Sequence, residues 1–300
     1  MDDSEWQFAE SFLGHLLLER RLSPHTITSY RRDLKCLTEF CDKQHIGRWA
    51  DLQSHHVRSF AASSHAGGLS PRSIQRRLSG VRSFLNYLIR EGRLEGNAAA
   101  GISAPRAPRK LPDTLDVDQM ARLLNVLSDD PVAVRDRAIM ELLYSSGLRL
   151  AELVDLEVGD LDLADATVRV TGKGRKTRIL PVGRMARAAI EKWLELRPGM
   201  AGSGETAVFV GVRGRRISPR TVQQRLRHWA RASGLARRVY PHLFRHSFAT
   251  HMLESSSDLR GVQEMLGHAD ISTTQIYTHL DFQHLAQIYD KAHPRARRKD

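Results

Sequence analysis

Cysteine is scarce: the 300-residue chain carries two, Cys36 and Cys41, too few for the disulfide framework on which small secreted scaffolds depend. Five residues apart on one amphipathic run, they read as core thiols of a reducing compartment. Aromatic residues make up only 6% of the chain. No apolar run approaches the ~18 residues that crossing a bilayer requires, so no membrane partner is expected. The first residues, MDDSEWQFAESFLGHLLLERR, begin acidic and turn amphipathic. A secretory signal begins basic and continues apolar, so the cytoplasm is the expected location. A nucleotide-triphosphate loop is also missing. Gly172-Lys173-Gly174-Arg175-Lys176-Thr177 has arginine where a P-loop needs glycine before its Lys-Thr, and a strand follows it rather than a helix.

What the chain has in excess is positive charge. Forty-six Lys and Arg against 34 Asp and Glu give a net +12, which favours polyanionic partners. The distribution narrows this further. Leu111 to Val168 holds 4 basic and 13 acidic residues, whereas Arg169 to Arg245 holds 19 basic and 3 acidic. Arginines spread over several elements in this way predict one electropositive face, the footprint of a nucleic-acid binder.

One linker organises the chain. Ala104-Pro105-Arg106-Ala107-Pro108-Arg109-Lys110-Leu111-Pro112 places three prolines within nine residues, which forbids continuous helix. It divides residues 1–103 from residues 113–300, with 104–112 as the linker. Before it, Ser23-Pro24 and Ser70-Pro71 each offer a serine N-cap followed by proline at the first helical position, and each opens an amphipathic run. Leu34, Leu37 and Phe40 repeat at helical spacing in the first run, and Val81, Phe84 and Tyr87 in the second. The first region is therefore expected to be all helical. After the linker, a helix capped at Asp130-Pro131 runs to a stop at Gly147. Thr167–Val170 and Thr177–Val182 then read as two strands joined by a glycine-containing hairpin, with Ala207–Val210 a candidate third strand. Ser218 to about Ala292 returns to helix. The expected fold is mainly α with a small antiparallel sheet.

The polar cluster Pro241-His242-Leu243-Phe244-Arg245-His246 sets His242 and Arg245 three apart on one helical face, where an imidazole and a guanidinium can hold one phosphate. His242 and His246 have a metal-ligand spacing, but the glutamate of a zinc-protease helix is absent and Arg245 would bring a cation beside the ion. No metal and no cofactor are expected. Lys173, at a hairpin tip, is a candidate mobile proton donor.

Further along come Leu266-Gly267-His268 and Thr273-Thr274-Gln275-Ile276-Tyr277-Thr278-His279, and upstream stands Gly147-Leu148-Arg149-Leu150-Ala151-Glu152-Leu153. The ordered set Arg149, Lys173, His242, Arg245, His268 and Tyr277 resembles the active-site signature of the tyrosine recombinases, and the resemblance spans nearly the whole chain. It implies a helical, SAM-like core-binding domain followed by a catalytic domain, together forming a C-shaped clamp on double-stranded DNA. It also implies a role for each residue. Tyr277 attacks the scissile phosphate, giving a 3′-phosphotyrosine and a free 5′-hydroxyl, so that the ester energy is kept for rejoining. Arg149 and Arg245 bind the nonbridging oxygens. Lys173 protonates the departing 5′-oxygen, His242 assists proton removal from Tyr277, and His268 hydrogen-bonds the phosphate.

Arg72, Arg76 and Arg77 after Pro71, and Arg220, Arg225 and Arg227 after Pro219, are candidate groove-facing residues, with Arg175 and Lys176 as further DNA contacts. The stretch Thr278–Ala286 resembles the branch of the family that resolves chromosome dimers. That branch implies a dif-like site, a heterotetramer with a XerD-like relative whose final helices dock in turn on their neighbours, and a septal DNA translocase. Alternatives of other kinds are a phage or transposon integrase, a type IB topoisomerase-like strand transferase and a non-catalytic DNA-binding regulator.

Overall fold

In a computed structural model, four helices start with proline at the first position and a capping side chain just before it. Ser23 Oγ accepts from the Thr26 amide, Ser70 Oγ from Ser73, Ser218 Oγ from Thr221 and Asp130 Oδ2 from Ala133, at 3.0–3.3 Å. Each cap satisfies an orphan N–H, and the proline supplies a residue that has none to lose. The structure describes residues 1–105, 114–172, 177–256 and 294. The chain divides into two compact units, Met1–Arg109 and Lys110–Asp300.

Helices α1 (Asp3–Leu18), α2 (Pro24–Lys43), α3 (Ser54–Ala66) and α4 (Pro71–Arg90) build the first unit. Their shared core includes Phe12, Leu34, Leu37, Trp49, Phe60, Val81 and Phe84. Asp33 lies wholly within it, ion-paired to Arg76 and Arg77 of α4. Leaving a buried carboxylate without its partners would cost several kcal/mol, on the order of 3 or more, so the pair ties α2 to α4.

The second unit is arranged around α6 (Pro131–Ser146), of whose 16 residues 13 are buried. A helix buried on all sides must satisfy its polar residues internally. Arg135 does so by donating to Asp136 Oδ1 at 2.7 Å and to the Val210 carbonyl at 3.0 Å, and Trp229 donates to Asp136 Oδ2 at 2.9 Å. Around it stand α5 (Val117–Leu124), α7 (Leu150–Asp155), α8 (Arg184–Leu196), α9 (Pro219–Ala232) and α10 (Pro241–Ser256). Of these, α8 and α10 pack most extensively on α6. Trp193 of α8 is fully buried and donates to the Val208 carbonyl at 2.9 Å.

The sheet has three antiparallel strands in the order β1 (Leu161–Asp162), β2 (Thr167–Thr171) and β3 (Thr177–Pro181). In the β2–β3 register Val168 faces Leu180 and Val170 faces Arg178. The expected strand at Ala207–Val210 does not join this sheet. Ala207 makes only an isolated bridge to Glu157, and Val210 one to Arg216. These four residues are apolar because they are fully buried against the α6 and α8 core, a pattern that periodicity alone does not separate from a strand. The third strand is instead the two-residue β1, too short and too acidic to be recognised beforehand.

Candidate active site

Arg149 owes its position to a helix end. At the C-cap of α6, Gly147 adopts φ 59° and ψ 30°, a left-handed conformation that glycine enters without a Cβ penalty. The chain reverses there, Leu148 is buried, and Arg149 becomes the N-cap of α7. Its amide donates to Glu152 Oε2 at 2.9 Å and its Nη1 to Glu152 Oε1 at 2.8 Å. The same carboxylate receives a two-pronged bond from Arg178 of β3, Nη1 to Oε1 at 3.0 Å and Nη2 to Oε2 at 2.9 Å. Two parallel N–H donors fix a guanidinium plane far better than one.

From the opposite side comes α10. Arg245, only 8% exposed, donates from Nη1 to the Gly147 carbonyl at 2.7 Å. Burial, and then the nearby positive charges of Arg149 and Arg178, lower its pKa to about 10, with Glu152 opposing them. His242 lies three residues earlier on the same helix and is exposed. The structure therefore sets Arg149 beside Arg245, with His242 three residues before Arg245 on α10. Two guanidiniums, Arg149 and Arg178, share the Glu152 carboxylate, and the charge of a third, Arg245, is felt beside them, an arrangement short of negative charge and suited to an anion with several acceptor oxygens.

Burial works to raise the Glu152 carboxyl, but the bonds from Arg178 and Arg149 outweigh it and hold the group below the usual carboxylate range. A carboxyl depressed in the folded state adds stability that is present above its unfolded pKa and is lost as pH falls through the folded value. Glu152→Gln should therefore be less stable than the unaltered chain at neutral pH, and the difference should shrink as pH falls below the ordinary carboxylate range. Unfolding midpoints by circular dichroism across that range test this. A constant difference at every pH would show that Glu152 acts by packing alone.

Glu152 and Arg178 were not singled out from the sequence as site residues. Lys173, Arg175, Lys176, His268 and Tyr277 lie outside the described residues. Among the candidate DNA contacts, Arg72, Arg220 and Arg227 are exposed. Arg77 makes internal contacts. Its side chain is 13% exposed, it pairs with Asp33, it donates to Ser64 Oγ at 3.0 Å, and it lies over the Phe60 ring. Arg225 likewise binds buried Asp136 and covers Trp229. Arg76 also pairs with Asp33 but stays 40% exposed. Sequence could not separate these, because an arginine that holds a buried aspartate and one that holds a phosphate occupy the same polar edge of a helix.

Two family models match the chain: the phage integrase family over residues 113–284, and the phage integrase N-terminal SAM-like domain over residues 9–92. Among curated proteins, the tyrosine recombinase XerC of Pseudomonas syringae pv. tomato is 54% identical over 294 residues, covering 98% of each chain. The tyrosine recombinase XerC of Alcanivorax borkumensis is 53% identical over 298 residues, covering 98% of this chain and 96% of its own. Among solved structures, the XerH site-specific recombinase in a post-cleavage complex with a palindromic difH substrate superposes with a TM-score of 0.71 at 24% identity, over 90% of this chain and 81% of that one. The fold, the matched domains and these identities agree: the chain belongs to the phage integrase family and is a XerC-like site-specific tyrosine recombinase.

Proposed function

We propose that this chain cuts and rejoins double-stranded DNA at a dif-like site, with Tyr277 as nucleophile and the Arg149–Arg245 pair as the phosphate grip. The observation that carries the reading is the cluster in which Arg149 and Arg178 share one carboxylate, Glu152, with Arg245 close enough for its charge to be felt. A phosphodiester passing through five-coordinate phosphorus gathers charge on its nonbridging oxygens, and fixed guanidiniums placed beforehand stabilise that charge without reorganising. The Tyr277 oxygen forms a bond to phosphorus as the 5′-oxygen leaves. His242 assists removal of the phenol proton, Lys173 gives a proton to the departing oxygen, and His268 bonds the phosphate. A 5′-hydroxyl from another strand reverses the sequence and releases the tyrosine. Exposed Arg72, Arg220 and Arg227, with Arg175 and Lys176, supply contacts to the duplex.

The test is incubation with an end-labelled site duplex followed by denaturing electrophoresis. A protein–DNA adduct carrying the 3′ end should form in EDTA, since the guanidiniums and Lys173 supply the positive charge that two-metal nucleases draw from ions. Abolition by chelator with recovery in magnesium would overturn the phosphate-grip reading.

The assembly proposed is a heterotetramer of two copies of this chain and two of a XerD-like relative, working in the cytoplasm with a septal DNA translocase. Support comes from the XerC relatives and from the recombinase fold. Among the described residues no helix is long and apolar enough to cross a membrane. Deleting the chain from Phe282 onward should weaken cooperative binding to a full site on the order of tenfold more than binding to a half-site. Equal losses in a gel-shift titration would place that segment in its own domain's core.

A further inference from the structure

The residues that lead into the second unit are held to the helix bearing His242 and Arg245 and to the segment just before it. The Thr114 carbonyl accepts from Arg237 Nη1 at 2.6 Å, and the Leu115 amide donates to Ser247 Oγ at 2.9 Å. Asp116 then caps α5, accepting from the Gln119 amide at 2.7 Å. Ser247 is 0% exposed and His251, one turn further along α10, is 4% exposed. His251 also hydrogen-bonds the Leu115 main chain, and its Nδ1 lies 2.8 Å from the Tyr144 hydroxyl.

Burial lowers the His251 pKa, against weaker opposing effects of Glu254, the Leu115 main-chain bond and Asp116. Nδ1 of the ring and the Tyr144 hydroxyl share one hydrogen bond. One imidazole thus bonds α6 and the incoming chain at once, from a helix face turned away from Arg245. Tyr144 stands three residues before Gly147, whose carbonyl Arg245 binds, and five before Arg149. Helix α10 is therefore fastened to the last turn of α6 at two heights, by Arg245 to Gly147 and by His251 to Tyr144. An apolar pair would fill the same space but leave the helix free to slide by a fraction of an ångström. Hydrogen bonds fix its register.

We propose that Ser247 and His251 are positioning residues that lock α10 to α6 and to Leu115 and so set the separation of Arg245 from Arg149. This rests on the reading of those two arginines as phosphate ligands. Neither positioning residue touches DNA, so their loss acts on the rate of the chemical step and not on affinity, because small displacements of a charged donor in a site of this kind reduce rate steeply.

The experiment uses the full chain at saturating concentration on a nicked site duplex, with duplex affinity, single-turnover adduct formation and melting temperature measured on each variant. Ser247→Ala and His251→Leu should bind within about twofold of the unaltered chain yet form adduct about tenfold more slowly. His251→Gln, which keeps one acceptor and one donor, should recover most of the rate. Adduct formation within about twofold of the unaltered chain in both apolar variants, or a loss confined to affinity, would overturn the proposal. If His251→Leu does not fold, the decision passes to Ser247→Ala against Ser247→Thr. A slow Ala variant beside a near-normal Thr variant supports it, and equal rates overturn it. Should the unaltered chain form no adduct at all, the phosphate-ligand reading fails and this one falls with it.

Discussion

Tyr277→Phe should bind a nicked recombination-site duplex as the unaltered chain does and form no covalent 3′-adduct, a loss on the order of 10⁴-fold or more, as for other deleted nucleophiles. Phenylalanine keeps the ring and its packing and removes only the oxygen that bonds to phosphorus. The chain has six tyrosines, and the structure supplies other employment for most of them. Tyr30 and Tyr87 pack on Phe12 in the first unit. Tyr144 is 1% exposed and hydrogen-bonded to His251. Tyr240 is half-buried against the second core, directly before the α10 proline. Tyr289 is the remaining rival, so Tyr289→Phe should still form the adduct. Peptide mass spectrometry of the trapped complex decides the matter, and an adduct on any residue other than Tyr277 would sink the assignment.

Arg245→Ala should reduce adduct formation by on the order of a hundredfold or more while leaving duplex affinity nearly unchanged. At 8% exposed, Arg245 is too enclosed to follow the DNA backbone at large. In the proposed grip its guanidinium is fastened to the Gly147 carbonyl and so held in place beforehand. Arg245→Lys tests the geometry separately, since an ammonium keeps the charge and loses the planar fork. It should also be severely impaired. Single-turnover rates beside equilibrium binding separate the two effects. A variant that lost affinity in proportion to rate would make Arg245 a docking contact and not a transition-state donor. Arg149→Ala should behave alike, with the added consequence that Glu152 retains only Arg178.

Helix starts were the most legible features of the sequence, because Ser-Pro and Asp-Pro state a cap and a first turn within two residues, and four such pairs open helices in the structure. The sheet was half legible. The β2–β3 hairpin shows in its alternation and its glycines, whereas β1 is two residues long and offers no period to detect. In the site, Arg149, His242 and Arg245 were legible as members of an ordered motif. Arg178 left a signal that was overlooked. In β3 the exposed positions are Thr177 and Ile179, the latter at 43%, while Arg178 and Leu180 point inward. That inversion of the usual alternation marks an arginine with a buried partner. Glu152 was concealed by its double use, since the spacing Arg149-x-x-Glu152 reads equally as a helix-start signature. The internal ion pairs of Arg77 and Arg225 are not legible in sequence, because their partners, Asp33 and Asp136, come from helices distant in the chain.

Among the described residues the first unit's core runs from Ala9 to Ile102 and the second's from Leu115 to Met252. Each encloses an aspartate held by arginines: Asp33 by Arg76 and Arg77 in the first, and Asp136 by Arg135 and Arg225 in the second. In both places a guanidinium does inside the protein what Arg149 and Arg245 are proposed to do for DNA, and truncating either carboxylate would strand buried positive charge in the unit that holds it.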